Sequence, residues 1–227
     1  MNERATQKPR RTLAASLHEL AKILTPEQCA QDLMPVFRTC ITGADESREL
    51  VFEHVDVFFA HLPLPLAWST YLELARGWKA NTLGGWRARE QLALHIPAFF
   101  KTFHSLMEDE ILGMLQDALL DPFAAVRDAA TKGIPESYEI LGDQSDIARR
   151  FRDDLLDLGR SPKFRQRQTF VRCLREFVKP PPNRQAFEDF FLPFLASLSK
   201  DVVDVRLGLA QTVADLFVVG ESLSVRR

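Results

Sequence analysis

Apolar positions along the chain recur at steps of three and four residues, which is the spacing of an amphipathic helix. Residues 26 to 41 carry one such stripe, made of Cys29, Leu33, Val36, Phe37, Cys40 and Ile41. Residues 185 to 198 carry another, made of Phe187, Phe191, Phe194, Leu195 and Leu198. Glycine is sparse, at 10 of 227 residues, where about 7% is typical. The pattern predicts an all-α protein.

Capping residues and helix breakers mark the ends of the predicted helices. Thr25-Pro26, Asp121-Pro122 and Ser161-Pro162 each place a capping side chain before a proline in a first turn. The predicted helix ends lie at Gly43, Gly142, Gly159, Gly220 and the Pro180 to Pro182 run. These signals predict about eleven helices, over 9–24, 26–42, 45–62, 64–80, 85–103, 106–120, 122–141, 144–159, 162–178, 184–199 and 202–219.

An arginine recurs near the start of alternate helices, at intervals of 39, 40, 38 and 41 residues. The five positions are Arg48, Arg87, Arg127, Arg165 and Arg206. A proline recurs with the same register, because Pro35 and Pro193 each lie 13 residues before an arginine of this series. A period of about 40 residues with two helices per unit is typical of HEAT repeats. We therefore predict an α-solenoid of five to six antiparallel helix pairs in a right-handed superhelix.

The repeat register predicts a single array over residues 9–220, between a disordered basic tail at 1–8 and a polar tail at 221–227. The units lie near 26–62, 64–103, 106–141, 144–178 and 184–219, and a lone helix at 9–24 precedes them. The last helix carries more apolar positions than a terminal helix needs. We expect the chain to be a piece of a longer solenoid, or its end to be covered by a partner.

Composition and charge narrow the class of protein further. Apolar residues make up 46% and charged residues 26%, which is enough apolar content for a core. The formal charge is 29 minus 31, or −2, so no net basic field attracts nucleic acid or acidic lipid. Three cysteines without a CxxC pattern favour a reducing compartment. Without a signal peptide or a long apolar run, we predict a cytoplasmic or nuclear protein that is not membrane-bound.

No motif points to catalysis or to a metal site. His54 and His61 lie seven residues apart without a third ligand, and the chain contains no HExxH, GxSxG, Walker or GxGxxG sequence. The acidic clusters 108–110 and 153–154 consist of neighbours that diverge by about 100° on a helix, so they do not converge as a catalytic pair. We predict that the chain is not an enzyme and has no cofactor.

Residues 149–179 form the strongest charge anomaly, with ten basic and four acidic residues and a local charge of +6. This segment is a candidate nucleic-acid patch. It has no Trp or Tyr on which a base could stack. We therefore favour an acidic protein partner or a solubility role over nucleic acid.

The repeated arginines have an architectural interpretation. In HEAT-type units an aspartate of the turn and an arginine of the second helix form a hydrogen-bonded ladder between repeats. Asp121 and Asp201 stand near the aspartate position. We therefore predict a structural ladder made of Arg48, Arg87, Arg127, Arg165 and Arg206.

Three segments resemble the scaffolding (A) subunit of type 2A protein phosphatases. Trp86-Arg87-Ala88-Arg89, followed by Pro97, resembles its WRxR…P unit, and residues 121–131 resemble its D-x-x-x-x-[IV]-R-[DE]-A-A-T helix. Residues 161–173 are similar to its helix with an aromatic residue, arginine, threonine and cysteine. Order and spacing hold over residues 83–219. The family includes the HEAT-repeat regulatory subunit 1 of the related type 4 phosphatase, and these residues do not separate the two.

The resemblance implies a non-catalytic scaffold that holds a Ser/Thr phosphatase catalytic subunit on the turns joining the two helices of each unit. A further regulatory subunit is a candidate second partner. The implied partner-binding ridge consists of Trp86, Arg87, Asp121, Pro122, Phe123, Ser161, Lys163, Phe164, Asp201 and Asp204. Two alternatives stay open: a generic HEAT adaptor for another protein, and a DNA-binding HEAT-like protein that uses residues 149–179.

Overall fold

The computed structural model describes residues 3–103, 108–142, 146–179, 188 and 192–224. Within these ranges the chain consists of helices joined by short turns, and no strand occurs there. The prediction of an all-α protein is confirmed.

The helices are bounded as follows. The first half contains α1 (Glu3–Ala21), α2 (Pro26–Gln28), α3 (Met34–Thr42), α4 (Asp45–Phe52), α5 (Val55–Ala60), α6 (Leu64–Lys79), α7 (Trp86–Leu94), α8 (Ile96–Phe103) and α9 (Glu108–Leu119). The second half contains α10 (Ala124–Lys132), α11 (Ile134–Leu141), α12 (Asp146–Arg160), α13 (Phe164–Val178), α14 (Leu195–Leu198) and α15 (Val203–Ser224). A π-helical turn, Cys29–Leu33, joins α2 to α3, and a 3₁₀ turn, Leu192–Phe194, precedes α14.

Several predicted helices are interrupted, and proline explains most of the interruptions. The predicted helices 85–103 and 122–141 break at His95 and Gly133, each two residues before a proline. A proline lacks the amide hydrogen and collides with the carbonyl four residues earlier, so the helix must restart there. Pro35 follows the π-helical turn in the same way. The break between α4 and α5 has no such proline.

The predicted tails differ from the structure. Helix α1 begins at Glu3, within the segment predicted as a tail, and it continues through Pro9. Helix α15 runs through Gly220 to Ser224, because one glycine inside a helix costs only about 1 kcal/mol. Most of the predicted helix 184–199 lies outside the described residues.

Contacts divide the chain into two compact units, Met1–Ala118 and Leu119–Arg227. In the first unit α4 packs against α1 and α7, α3 covers α4, and α5 packs against α6 and α8. In the second unit α13 packs between α10 and α15, while α12 covers α11 and α13. Each unit therefore has the arrangement of an α-solenoid, in which second helices lie side by side and first helices cover them.

Aromatic rings fill the core of the first unit. Phe37 stacks on Phe58 with ring centroids 5.0 Å apart, and Phe59 lies 5.9 Å from Phe99. Tyr71 meets Phe99 edge to face at 5.2 Å. These rings are almost completely buried. They join helices from both layers, so a single cluster holds successive helix pairs together.

In the second unit, Gly159 allows two helices to approach closely. The sequence predicts a helix end at this glycine, yet α12 continues to Arg160. A Cβ added at Gly159 would lie 2.9 Å from the ring of Phe170 in α13. The glycine is therefore needed for helix packing rather than for a turn.

The pairing of His18 with His54 predicts a pH dependence of stability. The two rings lie 3.9 Å apart, and burial followed by the charge of His54 lowers the pKa of His18, while Glu19 opposes this effect. The unfolded chain then binds a proton at His18 more readily than the folded chain, so stability falls as the pH drops below about 6.5. We expect the midpoint of thermal unfolding to decline between about pH 7 and pH 5.5.

A His18→Gln variant should show a smaller decline over the same pH range, while the matched His61→Gln variant, whose ring is hydrogen-bonded to the Val57 carbonyl, should follow the parent chain. An equal decline in His18→Gln would assign the pH dependence to other groups.

Candidate partner-binding ridge

The turns that precede α10, α13 and α15 in the second unit are organised by polar side chains that accept backbone amides just before each helix begins. Asp121 Oδ1 accepts the Phe123 amide at 2.8 Å, Ser161 Oγ accepts the Lys163 amide at 3.1 Å, and Asp201 Oδ1 accepts the Val202 amide at 2.7 Å. These contacts satisfy amides that have no partner inside the following helix. All three side chains are mostly buried. The structure thus uses three of the predicted ridge residues to shape the turns.

Exposed apolar side chains lie on the same turns. Phe123 is 46% exposed and Phe164 is 40% exposed. Leu120, Val202 and Val203 are also exposed, as are the predicted ridge residues Pro122, Lys163 and Asp204. We call residues 119–123, 161–165 and 201–204 the turn ridge of the second unit. An exposed set of large apolar side chains on successive turns is typical of an interaction surface.

A groove of about 390 Å³ lies between the first two turns of this ridge. Its apolar walls include Leu120, Pro122, Pro162 and Phe164, and its basic residues are Arg127, Lys163 and Arg165. Asp121 is the acidic residue of the lining. The groove is therefore apolar and positively charged.

In the first unit, Trp86 and Arg87 lie together at the start of α7. The Arg87 guanidinium is 4.5 Å from the centroid of the Trp86 ring, and Arg87 is exposed. At the start of α13 the Arg165 guanidinium lies 6.0 Å from the ring of Phe164. Each helix start therefore presents an aromatic ring with an adjacent arginine. Tryptophan and arginine are enriched among the residues that dominate binding energy at protein interfaces.

Arg48 connects two successive turns of the first unit. Its Nε donates to the Ile41 carbonyl at 2.7 Å, and its Nη1 donates to Asp45 at 2.6 Å and to the Leu83 carbonyl at 3.2 Å. Gly84 has φ of +81°, and a Cβ there would lie 1.8 Å from Arg48 Nη1. Glycine is therefore required where this arginine meets the next turn.

In the second unit Arg127 and Arg167 occupy the equivalent position. Arg127 Nη1 donates to the carbonyls of Asp121 at 2.7 Å and Pro122 at 3.0 Å. Arg167 Nη1 donates to the Ser161 carbonyl at 2.7 Å. Its Nε and Nη2 also bind the two carboxylate oxygens of Asp201, at 2.5 and 2.7 Å, in the next turn. A two-point contact of this kind fixes both charge and orientation.

The structure places the five predicted ladder arginines in different environments. Arg87 and Arg165 are exposed, whereas Arg89 is buried, with a bond to Asn81 at 3.5 Å, and Arg167 holds Asp201. Arg206 is exposed too.

The number of residues between an arginine and the preceding turn decides which arginine binds that turn. Arg127 and Arg167 each lie six residues after a capping residue and reach back to its carbonyl. The sixth residue after Asp201 is Leu207. An average period near 40 residues does not resolve this two-residue offset, but the spacing from the cap does.

Acidic partners offset most of the charge of residues 149–179. At least six of the ten basic residues form ion pairs. The pairs are Arg149–Asp146, Arg160–Asp157, Arg167–Asp201, Arg172–Asp128, Arg175–Asp215 and Lys179–Glu176. Four of these acidic residues lie outside residues 149–179. A charge count restricted to that segment therefore overestimates the local positive electrostatic field. This pairing argues against a continuous nucleic-acid patch.

The three cysteines are buried free thiols. Burial raises the pKa of the Cys173 thiol, which keeps it protonated and a poor nucleophile. No group of three or more His, Cys, Asp or Glu side chains within the described ranges is arranged to hold a metal ion. Likewise, none of the described helices has the length and apolar character needed to cross a bilayer.

The chain is similar to regulatory subunit 1 of serine/threonine-protein phosphatase 4. It is 29% identical to the human and mouse proteins, and 28% identical to the rat protein, over 91% of its own length. It spans 22% of the length of these curated relatives. No protein-family model matches the chain. The similarity confirms the predicted resemblance and favours the type 4 subunit of its two candidates.

Proposed function

We propose that the chain is a non-catalytic regulatory scaffold that binds the catalytic subunit of a type 2A-like Ser/Thr phosphatase through its turn ridge. The observation that carries the proposal is the row of exposed apolar and basic side chains on successive turns. The similarity to a phosphatase 4 regulatory subunit supports a Ser/Thr phosphatase catalytic subunit as the proposed partner. A further regulatory subunit is a second partner within the same proposal.

The chemistry of the ridge supports a protein partner. In the turn ridge, Phe164 with Arg165 combines a ring with a guanidinium that lies close to it. Trp86 with Arg87 forms a similar pair at the start of α7 in the first unit. Such pairs contribute apolar contact area together with directed hydrogen bonds. The turns that carry them are held by buried caps and arginines, so little ordering is needed on binding.

We also propose that the chain contributes no catalysis and acts in the cytoplasm or nucleus. The free thiols of Cys29, Cys40 and Cys173 suit a reducing compartment. The alternative of a generic adaptor would use the same ridge for another protein. The identity of the captured partner separates these two functions.

Affinity capture with the intact chain tests the proposal. We expect enrichment of the catalytic subunit of phosphatase 4, or of the related 2A or 6 enzymes, when captured proteins are identified by mass spectrometry. The Trp86→Ala/Arg87→Glu variant should reduce this enrichment at least about tenfold, because it removes a ring and reverses a charge at one interface anchor.

Leu94→Ala is the matched control, since Leu94 is 39% exposed at the other end of α7. It should capture the phosphatase as the parent chain does. Capture of other proteins without any phosphatase, by bait that circular dichroism shows to be helical, would replace this function with the generic adaptor.

A further inference from the structure

Arg127 is a buried cation with unused hydrogen-bonding capacity. It is 8% exposed, and its Nη1 donates to two backbone carbonyls. Its Nε is buried and has no hydrogen-bond partner in the described part of the chain. A guanidinium carries five N–H donors, and a buried donor without an acceptor is unfavourable. Burial, followed by the charge of Arg172, lowers the pKa of Arg127. The nearby acids therefore do not compensate for its burial.

Comparison with the next repeat shows which hydrogen-bond acceptor Arg127 lacks. Arg167 occupies the same position relative to its turn, and Asp201, 34 residues later, binds its Nε and Nη2. The residue 34 positions after Arg127 is Ser161. The Ser161 hydroxyl accepts a hydrogen bond from the Lys163 amide and donates one to the Gln166 side chain. Among the residues that the structure describes, Arg167 thus binds a carboxylate from the next turn, whereas Arg127 binds none.

The groove beside Arg127 has room for the missing carboxylate. It measures about 390 Å³ and also includes Lys163 and Arg165. Its acidic residue, Asp121, accepts the amide of Phe123. Apolar walls formed by Pro162 and Phe164 suit a carboxylate flanked by apolar side chains.

We propose that this groove binds an aspartate or glutamate side chain of an apolar, acidic peptide segment, with the carboxylate lying against the Arg127 side chain that lines the groove. The proposal deepens the proposed function, because the groove lies within the turn ridge that receives the phosphatase subunit. The proposal adds that the partner presents a carboxylate flanked by apolar side chains to this groove.

Titration of the intact chain with acetyl-Leu-Glu-Leu-amide tests the site by NMR. The readout is the Nε–H signal of Arg127, identified by its absence in Arg127→Lys. We expect this signal to shift. The peptide should bind at least about tenfold more tightly than acetyl-Leu-Gln-Leu-amide, because only the carboxylate forms charge-assisted bonds with the guanidinium. Equal binding of the two peptides, or no shift with either, would overturn the proposal.

Ser161→Asp supplies the carboxylate from within the chain. Aspartate already caps the equivalent turns at positions 121 and 201. We expect Ser161→Asp to raise the midpoint of thermal unfolding, to shift the Arg127 Nε–H signal without peptide, and to abolish peptide binding. Ser161→Asn is the matched control, since it caps the amide without a charge, and it should keep peptide binding. Undiminished binding by Ser161→Asp would contradict the assignment.

Two further arms separate the possible outcomes. Tighter binding of acetyl-Leu-phosphoserine-Leu-amide than of the glutamate peptide would overturn the carboxylate assignment in favour of a phosphoryl group. Glutamate-peptide binding without phosphatase capture would leave the carboxylate site intact and reject the proposed function. Phosphatase capture without glutamate-peptide binding would reject the site alone.

Discussion

Asp201→Ala is expected to lower the free energy of unfolding by about 3 kcal/mol, because it leaves the guanidinium of Arg167 without its carboxylate. The Arg167 side chain is 20% exposed and the Asp201 side chain is 8% exposed, and two hydrogen bonds join them. The substitution also removes the acceptor of the Val202 amide. Arg167 lowers the pKa of Asp201, so the contribution of the pair is present above about pH 4 and is lost as the pH falls below that value.

Asp215→Ala is the matched control for this prediction. Asp215 of α15 binds Arg175 Nε of α13 at 2.7 Å, whereas Asp201 lies in the turn before α15. The Arg175 and Asp215 side chains are 40% and 34% exposed. Solvent screening should limit its effect to less than about 1 kcal/mol. Chemical denaturation measures both variants. Equal destabilisation by the two substitutions would mean that burial does not increase the contribution of the Arg167–Asp201 pair to the free energy of unfolding.

The Phe123→Ala/Phe164→Ala double variant is expected to weaken binding of the phosphatase 4 catalytic subunit at least about 100-fold. Both rings are exposed on adjacent turns, at 46% and 40%, so their loss removes interface area without opening the core. The affinity is measured by isothermal titration of the purified catalytic subunit into the intact chain. Circular dichroism and the midpoint of thermal unfolding should stay close to those of the parent.

Leu195→Ala/Phe217→Ala provides a control of similar size in the same unit. These side chains are 38% and 71% exposed and lie outside the turn ridge. We expect their loss to change the affinity less than about threefold. If the control weakens binding and the Phe123/Phe164 variant does not, the partner uses another surface of the second unit.

The helical architecture follows from local sequence patterns. The stripe from Cys29 to Ile41 and the caps at Thr25, Asp121 and Ser161 predict where helices lie, because both signals act within one or two turns of helix. The interruptions at His95 and Gly133 were predictable from the prolines that follow them. Periodicity conceals such breaks, since the apolar stripe continues through them.

The arginine network depends on contacts that a periodic count does not contain. Arg167 rather than Arg165 binds Asp201 because it stands six residues after the cap. The partners of Arg172 and Arg175 lie 44 and 40 residues away, at Asp128 and Asp215. Neighbouring helices supply these acids, so the charge of residues 149–179 cannot be judged from that segment alone.

The candidate ridge was only partly predictable for a related reason. The resemblance selects whole turns, but it does not separate capping side chains from exposed ones. Asp121 and Ser161 are directed into their own turns, whereas Phe123 and Phe164 remain exposed. Hydrogen-bonding demand at a helix start explains this division, since the first amides of each helix need an acceptor.

Hydrogen exchange of the chain with and without the phosphatase 4 catalytic subunit tests the central claim most directly. Amides in the first turn of a helix have no intrahelical partner, so those that no side chain binds exchange rapidly unless a bound protein covers them. We predict new protection at residues 85–88, 122–126, 162–166 and 202–205, with little change at the middle of α13. Protection confined to the middle of α13, or no protection at saturating catalytic subunit, would contradict a phosphatase-binding ridge on the turns.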